Sequence, residues 1–321
     1  MNPLSIFAIL RERDAGVNVL LLTRARQKQF QTSPGKFIVK AIREYIKKSP
    51  DNRFDFSQDE PIWDEPVVAF GDGNDPLFQE YKTVIGEYHA TPREVLEMYL
   101  KTGGLGKKDL SRISVISWVL PSTAKTRLSM RPETTVCSLR WNHTRLKGQE
   151  INYRLERYVV SLLESQGYLA VAPDLAKWWS MIEEPGGLSC RWSQRHVGYA
   201  AGLGTFSLND GFITTKGIAI RLGSVVTNLA LPVTPRPYAN HLVNCLFFRR
   251  GNCGKCIPRC PAQAISEKGH DKKKCEQYLK DLKINLEKSG QLATNGFLYT
   301  DIVGCGFCQT GVPCENCIPK P

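Results

Sequence analysis

"NCGKCIPRCPAQAI", residues 252–265, places three cysteines within eight residues and a proline directly after the last. Eleven cysteines occur in the 321-residue chain, and nine of them lie between Cys245 and Cys317. Their order is Cys245, seven residues, Cys253, two, Cys256, three, Cys260 and Pro261, then Cys275, then Cys305, two, Cys308, five, Cys314, two, Cys317. The half-motif C-x2-C-x3-C-P ends the run of bacterial ferredoxins, in which a short loop wraps thiolates around one 4Fe-4S cubane and the last cysteine ligates the other cluster. Two cubanes take eight thiolates, and nine are offered. The spacing assigns Cys245, Cys253, Cys256 and Cys314 to one cluster and Cys260, Cys275, Cys305 and Cys308 to the other. Cys317 is left over, or replaces Cys314. A zinc ribbon built from "CGFC" and "CENC" would supply four tetrahedral ligands but leaves the C-x3-C-P element unexplained.

The opening "MNPLSIFAILRERDAG" sets Arg11, Glu12, Arg13 and Asp14 directly after a short apolar run, which is neither a signal-peptide core nor a cleavage site. Apolar runs such as "NVLLL" are far shorter than the ~20 residues that span a bilayer. The expectation is a cytoplasmic protein with no membrane partner, where thiols stay reduced and clustered cysteines hold metal or do redox chemistry. Lys and Arg number 43 against 31 Asp and Glu, a formal charge of +12. Two cubanes would bring about −2 apiece, leaving roughly +8. A basic surface suits RNA. It equally suits docking of an acidic electron donor, a flavodoxin or ferredoxin, near "KGHDKKK", 268–274, beside Cys275. The same run also reads as the solvated start of a charged helix.

With 42% hydrophobic residues, the chain can bury a sizeable core, and one large unit plus one small one is the natural division. The expected domains are 1–240 and 241–321, joined at the proline-rich "LPVTPRPYAN", 231–240. The large unit reads as mixed α/β (α+β). "TPREVLEMYLKTGG" offers Thr91 as N-cap, Pro92 at the first helical position, Glu94 for a capping box and Gly103 after the last turn. "EINYRLERYVVSLLESQG" puts Ile151, Leu155, Tyr158, Val159, Leu162 and Leu163 on one helical face, with Gly167 as the stop. "SRISVISWVLP" and "GIAIRLGSVVTNLAL" are β-rich runs and predict neighbouring strands of one sheet.

"HVGYAAGLGTFSLNDGFITTKGIAIRLGSVVTNLAL" is punctuated by glycines, which let backbone approach a large ligand closely; alone, such glycines also read as ordinary turns. "GLGTFS" is not a dinucleotide fingerprint, because it opens no strand-turn-helix unit. Together with "CGKCIPRCPAQAI", "CEQYL" and "GCGFC" this stretch resembles the epoxyqueuosine reductases and their relatives, the respiratory reductive dehalogenases, over roughly residues 110 to 316. The resemblance implies a nitroreductase-like cobalamin-binding domain followed by a two-cluster ferredoxin-like domain. It also implies a cobalamin pocket at Gly202, Leu203, Gly204, Thr205, Phe206, Ser207, Gly223, Ser224 and Val225. Electrons would run from an external donor through the clusters to cobalt, for two-electron reduction of an organic substrate.

The chain departs from that family in places. Its members carry an acidic residue about fourteen positions before the "AGLG" glycine, where an ungapped count here reaches Leu188. Their "DYH" element has no match in "RWNHTRLKGQEINY", 140–153, and the last cysteine segment reads "CQTGVPC". These departures point to a small-molecule substrate. The alternatives are an epoxyqueuosine reductase acting on tRNA, and an electron-transfer or corrinoid-processing protein with no organic substrate. The expected proton donors, by residue type and position, are His143, Tyr153, Cys190 and His196, with Asp210 and Glu150 as carboxylate options.

Overall fold

A computed structural model describes residues 24–57, 59–103, 108–290 and 304–320. In chain order these residues form helices α1 (Arg24–Thr32) and α2 (Pro34–Lys48), strand β1 (Val67–Asp72), and helices α3 (Leu77–Val84) and α4 (Pro92–Thr102). Strand β2 (Ser114–Pro121), helices α5 (Ala124–Met130) and α6 (Leu139–Glu164), and strand β3 (Ala170–Val171) come next. The middle of the chain continues with β4 (Met181–Glu184), β5 (Gly187–Cys190), α7 (Gln194–Ala200), β6 (Gly204–Phe206), β7 (Phe212–Thr214) and β8 (Ile220–Thr227). The cysteine-rich part carries α8 (Leu246–Arg250), α9 (Cys256–Arg259), β9 (Ile265–Ser266), β10 (Gly269–His270) and α10 (Lys272–Lys288).

The principal sheet has the order β1-β2-β8-β3, and every pair in it is antiparallel. The two β-rich runs of the sequence are its central pair, in register from Ser114 opposite Thr227 to Pro121 opposite Ile220. All eight residues of β2 are buried, so alternate side chains enter two different cores. Ile116, Trp118 and Leu120 face the layer of α2 and α6, where Phe37, Ile38, Ile42, Leu155, Val159 and Leu162 pack. Val115 faces the opposite layer with Val95 and Leu96 of α4 and Val197 of α7. The result is an antiparallel sheet covered by helices on both faces, the mixed α/β class expected.

Local signals explain the helices. Thr91 caps α4 by accepting from the Glu94 amide (3.3 Å), while the Glu94 carboxylate accepts from the Thr91 amide (2.8 Å). This is the capping box read from the sequence. Helix α6 begins well before the amphipathic run that announced it, at a Ser138 cap whose hydroxyl accepts from the Trp141 amide (3.1 Å). The stretch from Arg140 to Tyr153 is therefore helical throughout.

Residues beyond 240 are tied back to the sheet unit through main chain. The amides of Ile218 and Ala219 donate to the carbonyls of Cys314 (2.9 Å) and Glu315 (3.3 Å). Arg259 lies over the Phe307 ring and donates to the carbonyls of Glu133 (2.7 Å), Met130 (2.9 Å) and Thr310 (3.2 Å). Among the described residues no helix is long and apolar enough to cross a membrane.

Two histidines make the fold acid-sensitive. His89 is fully buried, stacks on Trp192, and accepts a hydrogen bond at Nε2 from the Ser193 amide (3.1 Å). Burial pushes its pKa down to about 4, and burial followed by the Arg195 charge pushes that of His196 down to about 3. Both are neutral in the folded and unfolded chains at pH 7. Below about 6.5 the unfolded chain takes up protons that the fold refuses, so stability falls with pH until the folded pKa is passed. For His89 alone the loss reaches about 3 kcal/mol near pH 4. The urea midpoint is expected to drop between pH 7 and pH 4.5, and less steeply in His89→Gln.

Candidate functional site

All eleven cysteines are free thiols. Cys245, Cys253, Cys256 and Cys314 line one small cavity of about 20 Å³, whose other walls include Leu208, Ile213, Phe247 and Val312. Cys260, Cys275, Cys305 and Cys308 line a second, larger cavity of about 310 Å³ that opens to solvent. These are the two sets of four that spacing assigned. Cys317 is exposed and lines neither cavity.

The thiols act on one another mostly along the same division, although Cys256 also acts on Cys308 and Cys260 on Cys256. Burial pushes Cys314 up to about 12, with Cys245, Cys256 and Cys253 adding to the rise. Burial likewise pushes Cys305 up to about 12, with Cys275 and Cys260 adding to it. Cys308 is raised further, by burial and then by Cys305 and Cys275. Crowded thiols held neutral in this way are deprotonated once a metal is bound. Among the described residues no three His, Cys, Asp or Glu side chains close on one point, as a single ion would require. A cubane asks for something different, since each thiolate takes its own iron and the four sulfurs surround a body. Four thiols line each of the two cavities.

A histidine supports the second set. His270 Nδ1 lies 3.2 Å from Asp210 Oδ2, and its ring also hydrogen-bonds Cys275. Asp210 holds a left-handed backbone (φ 57°), with its amide donating to the Ser207 carbonyl (3.0 Å) and its carbonyl accepting from Arg195. Such outer partners orient a metal ligand and tune it.

The larger cavity is also lined by Trp63, Trp141, Arg145, Arg195 and Arg221. Burial, followed by the neighbouring Arg145 charge, pushes Arg221 down to about 9. Asp174, a buried carboxylate, acts on Arg221 in the opposite sense and also acts on Cys190. None of these groups was singled out from the sequence, although Arg221 had a visible signal as a lone charge in an otherwise apolar strand. The ungapped count to Leu188 falls in the β4–β5 hairpin. That hairpin is closed by the Arg191 amide on the Ser180 carbonyl (3.2 Å).

The expected cobalamin pocket requires correction. Gly223 lies directly opposite Trp118 in the sheet, and a Cβ there would come within 2.6 Å of the Trp118 indole nitrogen and of Asn152 Oδ1. Gly204 sits in the β6–β7 hairpin, where a Cβ would overlap the Ile213 carbonyl oxygen, and a Cβ at Gly202 would come within 2.5 Å of the Pro235 carbonyl oxygen. Thr205 accepts from the Asn244 amide (3.0 Å), Ser224 accepts from the Trp192 indole (3.0 Å), and Val225 is fully buried. Leu203 is buried with Ala201 and Leu222, and Phe206 packs on His196. Only Ser207 of the nine lines either cysteine cavity, and it lines the smaller one. The space these residues leave is filled by protein, so they do not fit a corrin.

The expected proton donors are also placed away from the cysteines. His143 is buried edge-on to Phe56 (5.4 Å), and Tyr153 is buried in α6 near the two cavity arginines. The Cys190 thiol donates to the Trp192 carbonyl (3.2 Å) and is pushed up to about 11 by burial. His196 bonds the Ser193 hydroxyl (2.8 Å) and lies between the rings of Tyr81 and Phe206. Glu150 borders a separate surface depression with Arg53, Lys147 and Arg154. Asp210 alone among the six reaches the site, through His270.

No protein-family model matches the chain. A curated epoxyqueuosine reductase from Synechocystis sp. is 29% identical over 180 residues, covering 54% of this chain and 51% of that protein. Among solved structures, a selenomethionine-labelled epoxyqueuosine reductase overlays with a TM-score of 0.46 at 16% identity, over 90% of this chain and 66% of that one. An epoxyqueuosine reductase from Bacillus subtilis gives 0.40 at 16% identity, over 90% and 66%. A third, solved with an epoxyqueuosine-modified tRNA stem loop, gives 0.43 at 15%, over 87% and 66%. The chain spans about half the length of the curated relative it matches. On that sequence match, the chain is similar to the epoxyqueuosine reductases over about half its length.

Proposed function

We propose that this chain is an iron-sulfur oxidoreductase of the epoxyqueuosine reductase type, with a two-cluster, ferredoxin-like unit after residue 240 and a modified nucleoside in RNA as its substrate. The observation that carries this reading is the sorting of eight cysteines, four and four, into two cavities of which the larger opens beside a cationic, aromatic-lined wall. The preference for a small organic substrate gives way to the tRNA alternative, because the matched curated relative is an epoxyqueuosine reductase.

Reduction of an epoxide to an alkene consumes two electrons and two protons and releases water. Bound cubanes would store those electrons, one each. The chain's own part is positional: the cysteine sets hold the metal, and the Asp210–His270 pair orients Cys275. Trp141 and Arg145 border the space where a substrate would sit, and Asp174 balances Arg221 from behind. No step is assigned to cobalamin, since the residues nominated for it are packed against protein. An acidic electron donor would meet the exposed Lys272, Lys273 and Lys274, which open α10 three residues or fewer from Cys275.

The test is anaerobic reconstitution, an iron count, and incubation of reduced protein with an epoxyqueuosine-containing stem loop. About eight irons per chain and formation of queuosine are expected; fully loaded protein that leaves the nucleoside unchanged would overturn the substrate reading. Asp174→Asn is expected to lower turnover by about 10²-fold through misplacement of Arg221, with iron content unchanged, as read by rate and iron assay on the same preparation.

A further inference from the structure

Arg131, Arg140 and Arg236 each carry a carboxylate, on Glu315, Glu60 and Asp75. The arginines facing the larger cavity do not. Among the described residues, neither the Arg145 nor the Arg221 guanidinium forms a hydrogen bond or an ion pair, and the buried Nε of Arg221 is left without an acceptor. Both project from rigid elements, Arg145 from the second turn of α6 and Arg221 from the second position of β8, where the next six residues are buried. Arg145 is held in place by packing against Gly304.

Two like charges facing one cavity repel each other, with Asp174 acting on Arg221 and no described carboxylate acting on Arg145, and an anionic ligand between them would relieve that repulsion. Guanidinium forks match the oxygens of a phosphate group bidentately. Trp141 and Tyr278 line the same cavity, and aromatic faces beside phosphate-binding arginines are how unpaired nucleotides are held.

We infer that Arg145 and Arg221 form an oxyanion site on the wall of the larger cavity, built to take a phosphate group of the substrate. The site stands on the cavity and its arginines; only the assignment of that phosphate to RNA rests on the function proposed above.

The experiment uses cluster-loaded protein and two probes, inorganic phosphate and an unmodified RNA stem loop, with binding followed by calorimetry. Wild type is expected to bind phosphate saturably. Arg221→Met and Arg145→Met are each expected to weaken it at least tenfold while keeping their iron. In phosphate-free buffer both variants are expected to melt no lower than wild type, because an unmatched charge has gone, whereas added phosphate raises the melting temperature of wild type alone. Should Arg221→Met fail to fold, Arg221→Lys keeps the charge without the fork and is expected to bind phosphate more weakly than wild type. Stem loop that displaces phosphate assigns the site to an RNA phosphodiester; phosphate binding unaffected by stem loop assigns it to a free phosphate or mononucleotide. Either result supports the site, and neither depends on queuosine being formed. No saturable binding to wild type overturns the inference. So does binding undiminished in both variants, or loss of iron from them, which would mean that the arginines balance the cluster.

Discussion

Cys308→Ser is expected to lower the iron content from about eight atoms per chain to about four and to loosen the cysteine-rich part of the molecule. Cys308 lines the larger cavity, and its carbonyl accepts from the Asn209 side chain (2.7 Å), which joins the β6–β7 region to the last cysteine segment. A hydroxyl in its place is a poor iron ligand, and the free energy of metal binding is also folding free energy. Susceptibility to proteolysis after residue 250 should therefore rise together with the loss of iron. Cys317→Ser is the matched control: its thiol is exposed and lines neither cavity, so iron and stability should stay as in wild type. Full iron in Cys308→Ser, or half the iron in Cys317→Ser, would show that the division of thiols is wrong.

Gly217→Val is expected to destabilise the fold by about 3–5 kcal/mol, a large share of the ~5–15 kcal/mol that holds a typical protein folded. Gly217 has φ +80°, a conformation that costs an L residue roughly 1–2 kcal/mol and a β-branched one more. A Cβ there would also overlap the main chain of Glu315 and Asn316. Main chain cannot swing aside as a side chain can, so the C-terminal segment has to lift. The adjoining Ile218 amide is bonded to the Cys314 carbonyl (2.9 Å), so lifting the segment moves a thiol out of the smaller cavity. Urea titration and an iron assay should show loss of stability and of about half the iron together. Gly167→Ala separates the two causes: φ there is +84°, but nothing lies within 4 Å of the added carbon. That change should cost about 1 kcal/mol and leave the iron in place.

Much of the architecture is legible locally. The cap at Thr91, the apolar face from Ile151 to Leu163 and the strand pair Ser114–Pro121 and Ile220–Thr227 all rest on periodicity or on contacts within a few residues, and each lies where the sequence puts it. The grouping of cysteines by spacing coincides with their grouping by cavity for a similar reason. Short loops limit which thiols can face the same space. The glycines illustrate the opposite case. From sequence, Gly204 and Gly223 could serve a large ligand or the protein itself, because the absence of a side chain does not say what occupies the space.

The helix capped at Thr91, the helical face from Ile151 to Leu163 and the central strand pair follow from the amino-acid sequence by itself, since propensity and periodicity are properties of neighbouring residues. What sits beside the thiols was decided only by the tertiary structure. Trp118 crosses from the neighbouring strand to fill the space above Gly223, and Asp174 acts on Arg221 from a segment nearly fifty residues away. Helix α6 and strand β8 bring Arg145 and Arg221 to one wall from segments some seventy residues apart. The physical reason is register: which side chain meets which glycine, carboxylate or guanidinium depends on how distant elements align when their apolar faces are buried, and no local pattern encodes that alignment.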